Sequence, residues 1–139
     1  MRQIEIALGL LQQGDEFLLQ HRNGGALIGA VGLIGCFGGK VNPSELPKHA
    51  VAREIGEETT FVSEPEQWEL IGEVHVESDH KLEPVQIHAT AYRLTIDDTL
   101  KVEAKEGALV RMTLEEIWRR NNELTPATKA LFNDYYREK

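Results

Sequence analysis

The stretch GGKVNPSELPKHAVAREIGEETTF, Gly38 to Phe61, sets four glutamates, Glu45, Glu54, Glu57 and Glu58, within fourteen residues, directly after a glycine pair. Leu46, Ala50, Val51, Ala52 and Ile55 recur at near-helical spacing, which predicts a helix over Ser44 to Thr59. Ser44 is the expected N-cap, and Pro47 is tolerated because it falls in the first turn. At about 100° per residue, Glu57 and Glu58 lie about 60° and 40° to either side of Glu54, so three carboxylates share one stripe. Val51, Ala52 and Ile55 lie beside that stripe and can face a core. Like charges at this spacing cost a helix only about 0.2–0.5 kcal/mol per pair. On REIGEE alone, a solvated acidic face and a cation site therefore account for the stripe equally well.

The surroundings of the stripe favour the cation. Converging carboxylates suit a hard divalent ion such as Mg²⁺ or Mn²⁺, whose arrival turns their repulsion into attraction. The preceding glycines let backbone approach an ion or a phosphate, because no Cβ intrudes. Arg53 adjoins Glu54 and can hold a carboxylate by a forked hydrogen bond.

Working outward, IEIALGLLQQ (Ile4 to Gln13) and EFLLQHR (Glu16 to Arg22) read as a hairpin turning at Gly14-Asp15. NGGALIGAVGLIG reads as a loop entering a buried strand near Val31 to Phe37. The glycines at 29, 32, 35 and 38, in and just after this stretch, are taken as loop flexibility and tight packing rather than a repeat. Trp68 to Glu77 and Val85 to Ile96 read as strands, the second alternating Ile87, Ala89 and Ala91 with His88, Thr90 and Tyr92. A charged loop, Asp97 to Gly107, leads to a short strand, Ala108 to Met112. Thr113 to Glu116 matches a capping box that starts a helix through Arg120, and Thr125-Pro126 starts another. The expectation is one domain over residues 1–139, of α/β (α+β) class, with a mixed sheet between helices.

Composition narrows the function. With 23 acidic and 15 basic residues the formal net charge is −8, which argues against gripping a nucleic-acid polymer. A single nucleotide whose charge is shared with a metal stays compatible. Cys36 is the one cysteine, so no internal disulfide forms, and beside Phe37 it reads as a small buried hydrophobe. The longest uncharged run, Ala26 to Gly39, is shorter than the roughly 20 residues of a membrane span and is broken by glycine. The N-terminus has no signal-peptide layout, so a cytoplasmic location and no membrane partner are expected. Two nucleotide motifs fail. A Walker loop would need glycine at Ile34 and Ser or Thr at Val41, and no Gly-x-Gly stands where a dinucleotide fingerprint needs it. The five histidines show no metal-ligand spacing. His75 and His80, with Glu77 and Asp79 between them, read as a solvated strand end, and His49 as exposed.

Gly39, Glu45, Arg53-Glu54-Ile55, Glu57-Glu58, Thr60 and Phe61 together resemble the Nudix box, with Thr60 where the pattern has glycine. The order of hairpin, strands and terminal helices is similar to the Nudix fold over nearly the whole chain. The resemblance implies a MutT-like hydrolase that cuts a diphosphate linkage in a nucleoside diphosphate-linked substrate, using Mg²⁺, with Mn²⁺ as the alternative. By position it implies that Glu54, Glu57 and Glu58 bind metal, that Arg53 orients Glu54, and that Glu45 braces the loop. A carbonyl of Gly38 or Gly39 would complete the coordination, and Glu106, in Lys105-Glu106-Gly107, would be a metal ligand or the general base. His21, Arg22, Phe37, Gly38, Gly39 and Thr128 fall at substrate-side positions. His21-Arg22 replaces the two arginines of antimutator members, and Thr128 replaces their purine-reading asparagine. Those departures weaken an oxidised-guanine assignment, and the first expectation is a small nucleoside triphosphate pyrophosphohydrolase. The alternatives are an ADP-ribose or nucleotide-sugar pyrophosphatase and a non-catalytic nucleotide sensor. A diphosphate-linked isomerase would need a reactive cysteine. The expected helix exit at Thr60 avoids the left-handed conformation, which is costly for a β-branched residue. Oligomeric state is not legible, and a homodimer is compatible with the chain.

Overall fold

Arg2–Gln13 forms β1, whose run Ala7, Leu8, Leu10 and Leu11 is buried on both faces, as a central strand covered from two sides must be. The computed structural model describes residues 1–22, 32–80 and 83–137. β1 turns at Gly14 (φ 59°) into β2, Glu16–His21. Two short strands follow, β3 (Ile34–Gly35) and β4 (Phe37–Lys40), then helix α1 (Pro47–Glu58). β5 (Glu69–His80), β6 (Glu83–Thr95) and β7 (Ala108–Thr113) complete the strands. Helices α2 (Leu114–Arg119) and α3 (Pro126–Tyr135) close the chain.

Among the described residues, all seven strands belong to one mixed sheet. Its path runs β3-β2-β1-β6-β5, with β4 beside β1 and β7 beside β2. β1 and β6 run parallel, whereas β5 and β6 are antiparallel with a bulge between Leu70 and Gly72. Alternation along the strands divides the core in two. Ala7, Leu11, Leu18, Phe37 and Tyr92 pack against Ala50, Val51 and Ile55 of α1. Leu8, Leu10, Phe17, Ala89 and Ala91 pack against Leu131 and Phe132 of α3. The expected mixed sheet between helices is what the chain forms.

Three local readings change. Ser44 does not cap α1: the N-cap is Leu46, without a side-chain bond, and Pro47 occupies the first turn. Ser44 lies instead in a turn closed from Glu45 N to Asn42 O at 2.9 Å. The helix ends at Glu58, with Thr59 extended (φ −136°, ψ 171°). The strand expected near Val31 to Phe37 is two strands, because Cys36 leaves the sheet pairing and donates its N–H to Thr128 Oγ1 at 3.0 Å. Gly29 and Val31 lie outside the described residues.

Candidate active site

Two elements bring the box residues together, β4 and the adjoining face of α1. At Gly38 (φ 147°) an added Cβ would lie 2.1 Å from Ala7 O, so only glycine lets β4 pair this closely with β1. Its freed N–H donates to Glu58 Oε1 at 2.8 Å. At Gly39 a Cβ would lie 2.7 Å from the Glu54 carboxylate. The glycine pair is therefore a cradle shaped around two of the α1 carboxylates.

Arg53 organises the opposite side. Its Nε and Nη2 reach Glu45 Oε2 and Oε1 at 2.8 and 2.9 Å, a forked pair that ties the loop before α1 to the helix. Nη1 donates to Glu54 Oε1 at 2.9 Å and to Glu57 Oε1 at 3.2 Å, and Nη2 to Lys40 O at 3.1 Å. One guanidinium thus joins loop, β4 and three glutamates. The same bonds hold the Glu45 carboxyl down at about 2.

Glu106 arrives on the loop before β7, which docks on the exit of α1. Thr60 N donates to Glu103 O and Glu103 N to Thr60 Oγ1, both at 2.9 Å, and Lys105 N donates to Glu58 O at 2.7 Å. Gly107 (φ 66°) then turns the chain into β7, where a Cβ would lie 2.5 Å from His21 O. Electrostatics register the crowding. Burial pushes the Glu58 carboxyl up to about 7, and the charges of Glu54 and Glu106 push the same way against the Gly38 N–H. Glu54 is also raised, first by burial, with Glu57 and Glu106 contributing. Glu57 points outward, with its side chain 57% accessible. Neighbouring carboxylates thus disfavour the charge on Glu54 and Glu58, which is the arrangement a cation would relieve.

Beside the cradle lies a pocket of about 170 Å³, lined by Ile4, Ile6, Leu8, Cys36, Val85 and Ile87 together with Gly38, Gly39 and Lys40. Arg22, Ser78, Thr125, Pro126 and Ala127 also line it. The Arg22 Nε is buried and, among the described residues, has no hydrogen-bond partner. Its charge acts on both Glu58 and Cys36.

Not every residue placed on the substrate side by sequence reaches this pocket. Phe37 is fully buried in the α1-side core, because alternation along β4 turns its ring away from Cys36 and Gly38. Thr128 is 1% exposed, and its hydroxyl accepts from Cys36 N and Thr125 Oγ1, so it joins α3 to the sheet behind the pocket wall. His21 is exposed at the end of β2, outside the lining. The residues missed, Lys40, Ser78, Thr125 and the β1 and β6 isoleucines, carry no local motif; only the strand register assembles them. The reading of Cys36 as buried is matched by a thiol pushed up to about 12 by burial.

A model of the NUDIX domain matches residues 1–135, and the chain belongs to that family. It is a Nudix-type pyrophosphohydrolase, of a family that acts on small nucleotides with divalent metals. Solved structures similar to it include a MutT protein from Methanosarcina mazei Go1 (TM-score 0.78, 24% identity, 98% of this chain and 94% of that one). A MutT NUDIX hydrolase from Burkholderia pseudomallei gives a TM-score of 0.76 at 23% identity, over 96% of this chain and 98% of that one. A bifunctional NMN adenylyltransferase/ADP ribose pyrophosphatase from Francisella tularensis, complexed with AMP and a Mn ion, gives 0.71 at 18% identity, over 94% of this chain and 40% of that one. At these identities the likeness is one of fold. No curated protein matches the sequence. Among the described residues, no helix is long and apolar enough to cross a membrane.

Proposed function

We propose that the protein hydrolyses a nucleoside triphosphate between its phosphates, with Mg²⁺ as the preferred ion. The carrying observation is the juxtaposition at β4. Gly38 and Gly39 line the apolar pocket and at the same time abut the carboxylates of Glu58 and Glu54. At about 170 Å³ the pocket is smaller than the roughly 300–1,000 Å³ of a site that swallows a drug-sized ligand whole. It suits one ring system, leaving the phosphates outside near Lys40 and Arg22.

The donor set fits a hard cation, being carboxylates and carbonyls alone, with a cradle that admits no Cβ. Glu54, Glu57, Glu58 and Glu106, with a carbonyl of Gly38 or Gly39, would hold it. Bound there, a divalent ion supplies Lewis-acid polarisation of phosphate oxygens and a nucleophilic water near neutral pH. The chain's residues do the remaining work. Arg53 fixes the directions of Glu54 and Glu57 while Glu45 fixes Arg53. The Gly38 N–H fixes Glu58. Glu106, exposed on its docked loop, is the residue assigned to take the proton of the attacking water. Arg22 and Lys40 offset phosphate charge. Cys36 takes no chemical part, since its thiol stays protonated, which disfavours the isomerase alternative.

The test is product release from nucleoside triphosphates, ADP-ribose, nucleotide sugars and dinucleoside polyphosphates, with Mg²⁺ and with Mn²⁺. Turnover confined to triphosphates supports the proposal. Turnover confined to ADP-ribose or nucleotide sugars replaces it, and nucleotide binding without turnover identifies a sensor.

A further inference from the structure

His75 and His88 stand directly opposite each other in the β5–β6 ladder, and Glu5 stands opposite His88 across β1–β6. Residues two apart on a strand project from one face, so Glu73 joins the row on the α1-facing side of the sheet. The imidazoles stack with centroids 4.6 Å apart and planes 7° apart. His88 Nδ1 lies 2.5 Å from Glu5 Oε1, and its Nε2 contacts Glu73 Oε1. The donor atoms of Glu73, His75 and His88 all lie within 4.8 Å of one another. This corrects the reading of the histidines as lacking ligand spacing. The spacing is across strands, invisible along the chain.

We propose that Glu73, His75 and His88 form a second metal site, for a borderline divalent transition ion of the Zn²⁺, Ni²⁺ or Cu²⁺ class. Two imidazoles and one carboxylate suit such ions and discriminate against Mg²⁺, which prefers oxygen throughout. Tetrahedral ligands with bonds of about 2.0–2.2 Å stand roughly 3.4 Å apart. Side-chain rotation closes the remaining gap, because the backbone is held on both strands. The ladder fixes His75 and His88. Tyr135 Oη donates to Glu73 O at 2.9 Å and accepts from Glu73 N at 3.1 Å, which pins Glu73 beside the bulge.

The ion takes the place between His88 Nε2 and Glu73 Oε1, and the proton on Nε2 passes to solvent. Nδ1–H continues to donate to Glu5, a carboxylate–imidazole–metal relay that fixes the tautomer. The fourth position opens to the recess lined by Gln3, Glu77 and Gln86, where water completes the coordination. A patch of exposed ion pairs would also place Glu5 and Glu73 around His88, but it gives His75 no task. The metal does. Bound there, it cross-links the edge strand β5 to β6.

The experiment titrates Co²⁺ and then Zn²⁺ into the full chain under saturating Mg²⁺, which fills the α1 carboxylates. The readouts are the visible absorption of histidine-bound Co²⁺ and the melting temperature. The expected result is one equivalent of Co²⁺ displaced by Zn²⁺, with affinity about tenfold or more weaker in His75→Ala and His88→Ala. Glu57→Gln leaves it unchanged. His75 is exposed, so its replacement keeps the fold, and the shape-preserving Glu73→Gln is the second variant. Absence of binding under Mg²⁺, or binding undiminished by His75→Ala, overturns the proposal.

Discussion

Arg53 makes five hydrogen bonds to three glutamates and the Lys40 carbonyl, and no lysine can reproduce that fork. Arg53→Lys is expected to lower kcat about 10–100-fold with little change in KM, since it loosens the carboxylates rather than the pocket beside them. A parallel fall in stability beyond the loss of activity would mean that Arg53 is only a structural brace. Cys36 offers a second check. Buried and pushed up to about 12, its thiol should resist iodoacetamide at pH 8 in the folded protein and react once the chain is unfolded. Rapid labelling of the native state would contradict the burial.

At the scale of elements, the loop carrying Glu106 depends on Thr60, at the exit of α1. Its hydroxyl accepts the Glu103 N–H. Thr60→Gly removes that bond and should cost about 1 kcal/mol of unfolding free energy while weakening turnover. Thr60→Ser retains the hydroxyl and should restore both. Equal behaviour of the two variants in urea denaturation would show that the hydroxyl contributes nothing. The element scale also separates what the sequence disclosed from what it hid. Helix periodicity and like-charge crowding are local signals, so α1 and its glutamate stripe were legible. Phe37 and Thr128 lie outside the pocket lining, because facing depends on the strand pairing of β4 and the packing of α3. The break at Cys36 and the His75–His88 pair arise from partners 92 and 13 residues away, which no local pattern encodes.

Across the whole molecule, titration couples the site to stability. Glu58, raised to about 7, and His88, also raised, contribute stability that is fully present below their unfolded values and is lost as pH rises through the folded ones. Glu45, lowered to about 2, contributes stability present above its unfolded value of 4.5 and lost as pH falls toward 2. The metal-free protein should therefore melt highest in mild acid, near pH 5, and lower at pH 8. Mg²⁺ should raise the alkaline limb by compensating the ionised carboxylates. A melting temperature that climbs from pH 5 to 8 in EDTA would contradict this balance. The charge of −8 is thus not evenly spread in effect. On α1, Glu54 and Glu58 are held above the usual carboxylate range, first by burial.

If these glutamates hold a cation that cleaves a nucleotide, the most direct test is Mg²⁺-dependent product release from nucleoside triphosphates by the unmodified chain beside Glu57→Gln. Glu57 is exposed, so the substitution spares the fold. The account predicts triphosphate turnover that falls about 10²-fold or more in the variant, the scale of losing one electrostatic contact in the transition state. Turnover equal in the two proteins, or the same with and without Mg²⁺, would contradict it.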